Sequence, residues 1–130
     1  FPKSVLPTVI HEFCHSYANP LIEKHATALE PAGSTIFPKV KQLMVRQAYD
    51  NWQTMLIESL VRVCVVRYRY ATEGSFAALA EITEQTSRGF AWTGSLSKLL
   101  TDYEQHRDQY PTLDSFMPRI IAFFNDYAGK

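Results

Sequence analysis

Apolar and polar positions along the chain fall into blocks separated by proline, glycine and asparagine, and most blocks have helical length. Ser4 is placed to cap a helix beginning at Val5, with Pro7 tolerated in a first turn where its missing N–H is not needed. That helix runs through His11 and His15. Asn19-Pro20 reads as a stop and restart, with a bend there and a second helix continuing to about Leu29. Glu30-Pro31-Ala32-Gly33-Ser34 reads as a loop, and Ile36 to Tyr49 as a short helix.

Residues 51–71 are the ambiguous block, because Val61 to Tyr70 is β-branched, aromatic and partly alternating, as in a strand. Length decides for a helix. The apolar run from Met55 to Val66 exceeds the usual strand of about 5 to 6 residues, no turn signal interrupts it, and Gly74 closes it. Apolar on nearly all sides, it is expected to be a buried central helix. Further helices are expected at about Ser75 to Thr86, from Thr93 or Ser95 to His106, and from Leu113 or Asp114 to Tyr127, with gaps at Gly89 and Pro111. The expectation is a mainly α domain of about six helices spanning 1–130.

Length and composition narrow the function. A chain of 130 residues, 46% of them apolar, suits one globular core. Thirteen basic residues balance thirteen acidic ones, which disfavours nucleic acid as a partner, and no apolar stretch reaches the roughly 18 to 20 residues of a membrane span. The chain does not open on Met, and we expect it to be a fragment of a longer protein, with elements upstream of Phe1. Cys14 and Cys64 define no disulfide framework and read as buried thiols.

Candidate chemistry lies in His11-Glu12-Phe13-Cys14-His15. Helical residues four apart face the same way, so two imidazoles at this spacing can meet one tetrahedral zinc ion. Glu12 lies beside that line, where a carboxylate can take a proton without ligating the metal. The bland alternative is a histidine pair with no metal. Val9, Ile10 and Phe13 place the motif on an apolar helix, where polar side chains need a reason to be.

A catalytic zinc ion needs a third protein ligand and an open position. A metzincin-type third histidine is excluded by Leu21, and His25 lies about 15 Å further along a continuous helix. Glu58 is the better candidate. It sits in the apolar run from Met55 to Val61, where a carboxylate must be paired, protonated or bound to metal, and Arg62 shares its helical face as an orienting partner. A buried Glu58-Arg62 salt bridge that only stabilises the core is the competing reading.

The stretch from His11 to Pro20, HEFCHSYANP, and the stretch from Trp52 to Arg62, WQTMLIESLVR, resemble a bacterial family of zincin-like metallopeptidases catalogued as a domain of unknown function. Its pattern reads H-E-F-x-H-S-x-x-N-P followed by E-x-x-x-R, and Tyr110 to Pro118 is similar to it as well. The resemblance implies a gluzincin-like site with His11 and His15 as zinc ligands, Glu58 as the third and Glu12 as catalytic base. It also implies a β-sheet upstream of the motif, outside this chain, and an exposed apolar surface where that part would pack.

The expected activity is zinc-dependent hydrolysis of a peptide or protein substrate, with Arg62, Tyr17 and Tyr68 as candidates for stabilising negative charge on the carbonyl oxygen. The alternative is a non-catalytic helical binding or scaffolding module, with or without a structural metal closed by four ligands. Cys14 is poorly placed for such a fourth ligand, since it points about 60° away from His11 around the helix. Analogy with bacterial zincins suggests an exported protein.

Overall fold

The computed structural model describes the backbone from residue 6 and the side chains from residue 14 onward; the expected cap at Ser4 and helix start at Val5 lie outside the described residues. The elements are α1 (Leu6–Lys24), α2 (Ala26–Arg46), α3 (Trp52–Glu73), α4 (Ser75–Ser87), α5 (Thr93–Gln105) and α6 (Leu113–Ala128). No strand occurs among the described residues. The mainly α expectation holds, and the strand-like block at 61–70 is helical.

α3 is the centre. It packs against α1, α2, α4 and α5, while α6 covers α2 and α5. Asn51 starts α3 by accepting a hydrogen bond from the Thr54 N–H at 2.8 Å. Gly74, at φ 96°, ends α3 and lets α4 begin at the next residue, a conformation that glycine adopts without a Cβ penalty. Thr112 and Ser115 form a reciprocal capping box that opens α6.

Two expectations of chain breaks are corrected. α1 continues through Asn19-Pro20 to Lys24, and the stretch expected to be a loop, from Glu30 to Ser34, lies inside α2. The reason is burial. Leu29, Ala32, Gly33 and Ile36 are all buried and spaced i, i+3, i+4, i+7, so one apolar stripe crosses the Pro-Ala-Gly segment; Cys14, Ala18 and Ile22 form the same kind of stripe past Pro20. Pro20, Pro31 and Pro38 all sit on the exposed side. Each proline costs a helical hydrogen bond, and packing of the opposite face offsets it. Gly33 has a packing role: a Cβ there would stand 2.5 Å from Cε3 of Trp52, so the glycine lets α2 approach the start of α3.

α2 and α4 end alike. The Tyr49 N–H reaches the Met44 carbonyl at 2.9 Å and the Phe90 N–H reaches the Gln85 carbonyl at 3.0 Å, each closing a Schellman turn. The left-handed residue is Gly89 in one turn and Ala48, at φ 67°, in the other. Each turn is followed by an aromatic residue aimed at α3.

Candidate metal centre

Glu58 is the buried carboxylate of α3, with a side chain 4% exposed. It is held from three sides. Tyr49 donates its hydroxyl hydrogen to Oε1 of Glu58 at 2.8 Å, and the same oxygen accepts from Arg62 at 3.3 Å. The Tyr49 hydroxyl in turn accepts from Arg62 at 2.7 Å. The second oxygen, Oε2, faces α1, where His15 Nε2 stands 2.7 Å away. One carboxylate oxygen is thus tied to α3 and the α2 terminus, and the other is presented to the histidine motif.

Arg62 completes the cradle. Its guanidinium also donates to the side-chain oxygen of Gln85, and its carbon lies 4.6 Å from the Phe90 ring centre and 5.6 Å from that of Tyr49. The Nε of Arg62 finds no acceptor among the described residues, and the ring faces give the cation partial compensation. The residues that follow the two Schellman turns, Tyr49 and Phe90, therefore enclose the charge that orients Glu58. Burial first, and then the hydrogen bond to Glu58, raise the Tyr49 hydroxyl above its ordinary pKa, while the Arg62 charge acts in the opposite direction.

On α1, His15 Nδ1 lies 3.3 Å from Oδ1 of Asn19, one turn on. The 2.7 Å approach of Nε2 to Oε2 of Glu58 is hydrogen-bonding distance, and it links the α1 histidine directly to the buried carboxylate of α3. Asn19 thus orients the ring as well as standing within the expected helix stop. His11 and Glu12 belong to α1, but their side chains lie outside the described residues, as do Val9, Ile10 and Phe13.

The structure brings His15, Glu58 and Arg62 together as the spacing suggested. It does not bring Tyr68, which lies ten residues beyond Glu58 on α3, about 15 Å along the axis. Tyr17 is 59% exposed on α1. His25 is engaged elsewhere, with its Nε2 2.8 Å from Asp114. Among the described residues no group of three or more His, Cys, Asp or Glu is placed to hold a metal ion. Imidazole nitrogen and carboxylate oxygen are nevertheless zinc-ligating atoms, and two of the three expected ligands converge here.

Tyr49, Gln85 and Phe90 escaped the sequence reading. Only Gly89 carried a local signal, as the glycine of a helix end one residue before Phe90. The Cys14 and Cys64 thiols also meet between α1 and α3, and their hydrogen bond, followed by burial, raises the Cys64 thiol well above its ordinary pKa. Exposed apolar side chains do occur, Phe76 at 86% and Leu79 at 60%, both on α4.

No match arises among curated proteins or among solved structures. A family model does match, over residues 3–123, nearly the whole chain including both candidate ligand helices. The chain belongs to the family described as a domain of unknown function, DUF4932.

Proposed function

We propose that this domain is a zinc-dependent metallopeptidase of gluzincin type, in which His11, His15 and Glu58 hold the ion and Glu12 is the general base. The observation that carries the reading is the 2.7 Å approach of His15 to Glu58 between α1 and α3, with the other oxygen of Glu58 already committed to Tyr49 and Arg62. A carboxylate buried in an apolar helix is costly unless paired, and here it is aimed at the histidine of an H-E-x-x-H motif.

Bound zinc supplies Lewis-acid polarisation of the scissile peptide carbonyl. Glu12 takes a proton from the attacking water and passes it to the leaving amine. Asn19 and the Tyr49-Arg62 pair keep the His15 ring and the Glu58 carboxylate oriented throughout, so neither group reorganises as charge develops. Arg62 sets a buried positive charge 3.3 Å from Oε1 of Glu58, on the side away from His15.

The second reading is a non-catalytic helical module in which His15 pairs directly with Glu58. The same distance favours it, since the imidazole and the carboxylate satisfy one another at 2.7 Å. Zinc content after chelator-free purification separates the two. The metallopeptidase reading expects about one zinc per chain, lost in His15→Ala and Glu58→Ala and kept in Glu12→Gln, which should retain metal but not peptidase activity. A parent chain that takes up no zinc when supplied with it would overturn this reading and leave the helical module.

A further inference from the structure

We propose that Gln85 of α4 is a positioning residue for the metal centre: by holding one nitrogen of Arg62, it keeps the arginine from taking both oxygens of Glu58 and leaves Oε2 turned to His15. The inference rests on the zinc-binding reading above, and it names the residue outside both ligand helices that sets the direction of the third ligand. Gln85 is the one buried polar side chain of α4. Its side-chain oxygen accepts a hydrogen bond from Nη1 of Arg62. Nη2 of the same guanidinium donates to the Tyr49 hydroxyl at 2.7 Å and to Oε1 of Glu58 at 3.3 Å. The two nitrogens are thus committed in different directions.

A guanidinium beside a carboxylate favours the forked pairing, with parallel N–H bonds to both oxygens. Glu58 and Arg62, four apart on α3 and both buried, are spaced for it, yet the hydrogen bond of Arg62 goes to Oε1 while Oε2 lies 2.7 Å from His15 Nε2. Gln85 supplies the reason. With Nη1 held by α4, the guanidinium does not turn that nitrogen to the carboxylate. The amide is itself steered: its Nε2 donates to Glu81 at 3.0 Å, which sets the oxygen end toward Arg62, and Glu81 is anchored by Arg69 at 3.7 Å. The Gln85 backbone carbonyl serves the same centre, because it accepts the Phe90 N–H at 3.0 Å in the turn that lays the Phe90 ring 4.6 Å from the guanidinium carbon. An apolar residue of equal size would fill the space but offer Arg62 no acceptor. Nη1 would then take its bond from Glu58 and draw Oε2 away from α1, which weakens the third ligand.

The test measures the zinc affinity of the whole chain by competition with a chromogenic chelator at one pH, together with helical content and the visible spectrum of the cobalt(II)-loaded protein. Gln85→Met, similar in size but without the acceptor, should stay helical and bind zinc about ten- to a hundredfold more weakly, with an altered cobalt spectrum. Glu81→Leu leaves Gln85 in place but unsteered; it should weaken binding less, and it carries the test if Gln85→Met does not fold. Exchanging the pair, Glu81→Gln with Gln85→Glu, keeps an acceptor on Arg62 and a donor behind it, and should recover most of the affinity. A Gln85 that only supports the fold would shift stability and leave affinity and spectrum alone. That result, or an exchanged pair as weak as Gln85→Met, would sink the proposal. The two failures are distinct: a parent that takes up no zinc removes the metallopeptidase reading and this proposal with it, whereas equal affinities in the parent, Gln85→Met and Glu81→Leu remove the proposal alone.

Discussion

The α1–α3 seam and the aromatic layer beside α6 are both buried, yet different forces hold them. In the aromatic layer Trp92 meets Phe90, Phe124 and Tyr127 edge to face, with ring centres 5.5 to 6.3 Å apart, and its indole N–H is satisfied by Ser59 at 2.9 Å. In the seam a carboxylate, a guanidinium, a phenol and an imidazole meet within hydrogen-bonding distance inside an apolar helix bundle. The first arrangement gains stability from nearly every atom it buries. The second incurs a desolvation cost that its own hydrogen bonds scarcely cover, so stability alone does not account for it. What distinguishes it is direction: Tyr49 and Arg62 hold one oxygen of Glu58, and the other oxygen faces His15.

The comparison breaks most sharply at Arg62. Arg62→Met leaves the Glu58 carboxylate buried without its cation and should cost about 3 to 5 kcal/mol in urea unfolding. Adding Glu58→Leu should recover most of that loss while abolishing zinc uptake. If the double variant is as unstable as the single one, the seam is a stability device after all. Next in size, Phe124→Leu should cost about 1 to 2 kcal/mol by opening space beside Trp92, with zinc content unchanged, since the ring of Phe124 meets those of Trp92 and Phe123.

A smaller effect of opposite sign is expected at the turn that delivers Tyr49. Ala48 holds a left-handed conformation with a Cβ that glycine would lack, so Ala48→Gly should stabilise the chain by about 0.5 to 1 kcal/mol, read as a higher urea midpoint. The smallest effect belongs to a charged cluster outside both regions. Lys24 and His25 bond to Asp114, in that order of effect, and lower its carboxyl below the ordinary value of 3.8. A carboxyl lowered in the folded state stabilises above the unfolded value and loses that contribution as pH falls through the folded one. Asp114→Asn should therefore melt slightly below the parent at pH 6, and the difference should vanish as pH drops well below 3.8. A difference that persists in acid would mean that Asp114 acts through something other than charge.

The helical class was legible because long apolar runs with few breaks leave no room for strands, and α3 was recognisable from Met55 to Val66 despite its β-branched residues. The candidate ligands were legible for a similar reason: a glutamate and an arginine four apart have no place in an apolar run unless something meets them. Two proline-marked breaks were misjudged because local signals speak for the chain by itself. The stripe through Leu29, Ala32, Gly33 and Ile36 was present in the sequence, but its force came from α3 and α6 packed against α2.

The sequence by itself determined the helices, the central place of α3, the polar residues buried within it and the H-E-x-x-H motif on α1. Only the tertiary structure decided that helix would outlast Pro20 and Pro31 and that Tyr49 and Phe90 would enclose Arg62. The division follows from physics. Periodicity and propensity act between residues a turn or two apart, whereas burial and hydrogen bonding reward contacts between segments whose separation along the chain carries no local signal.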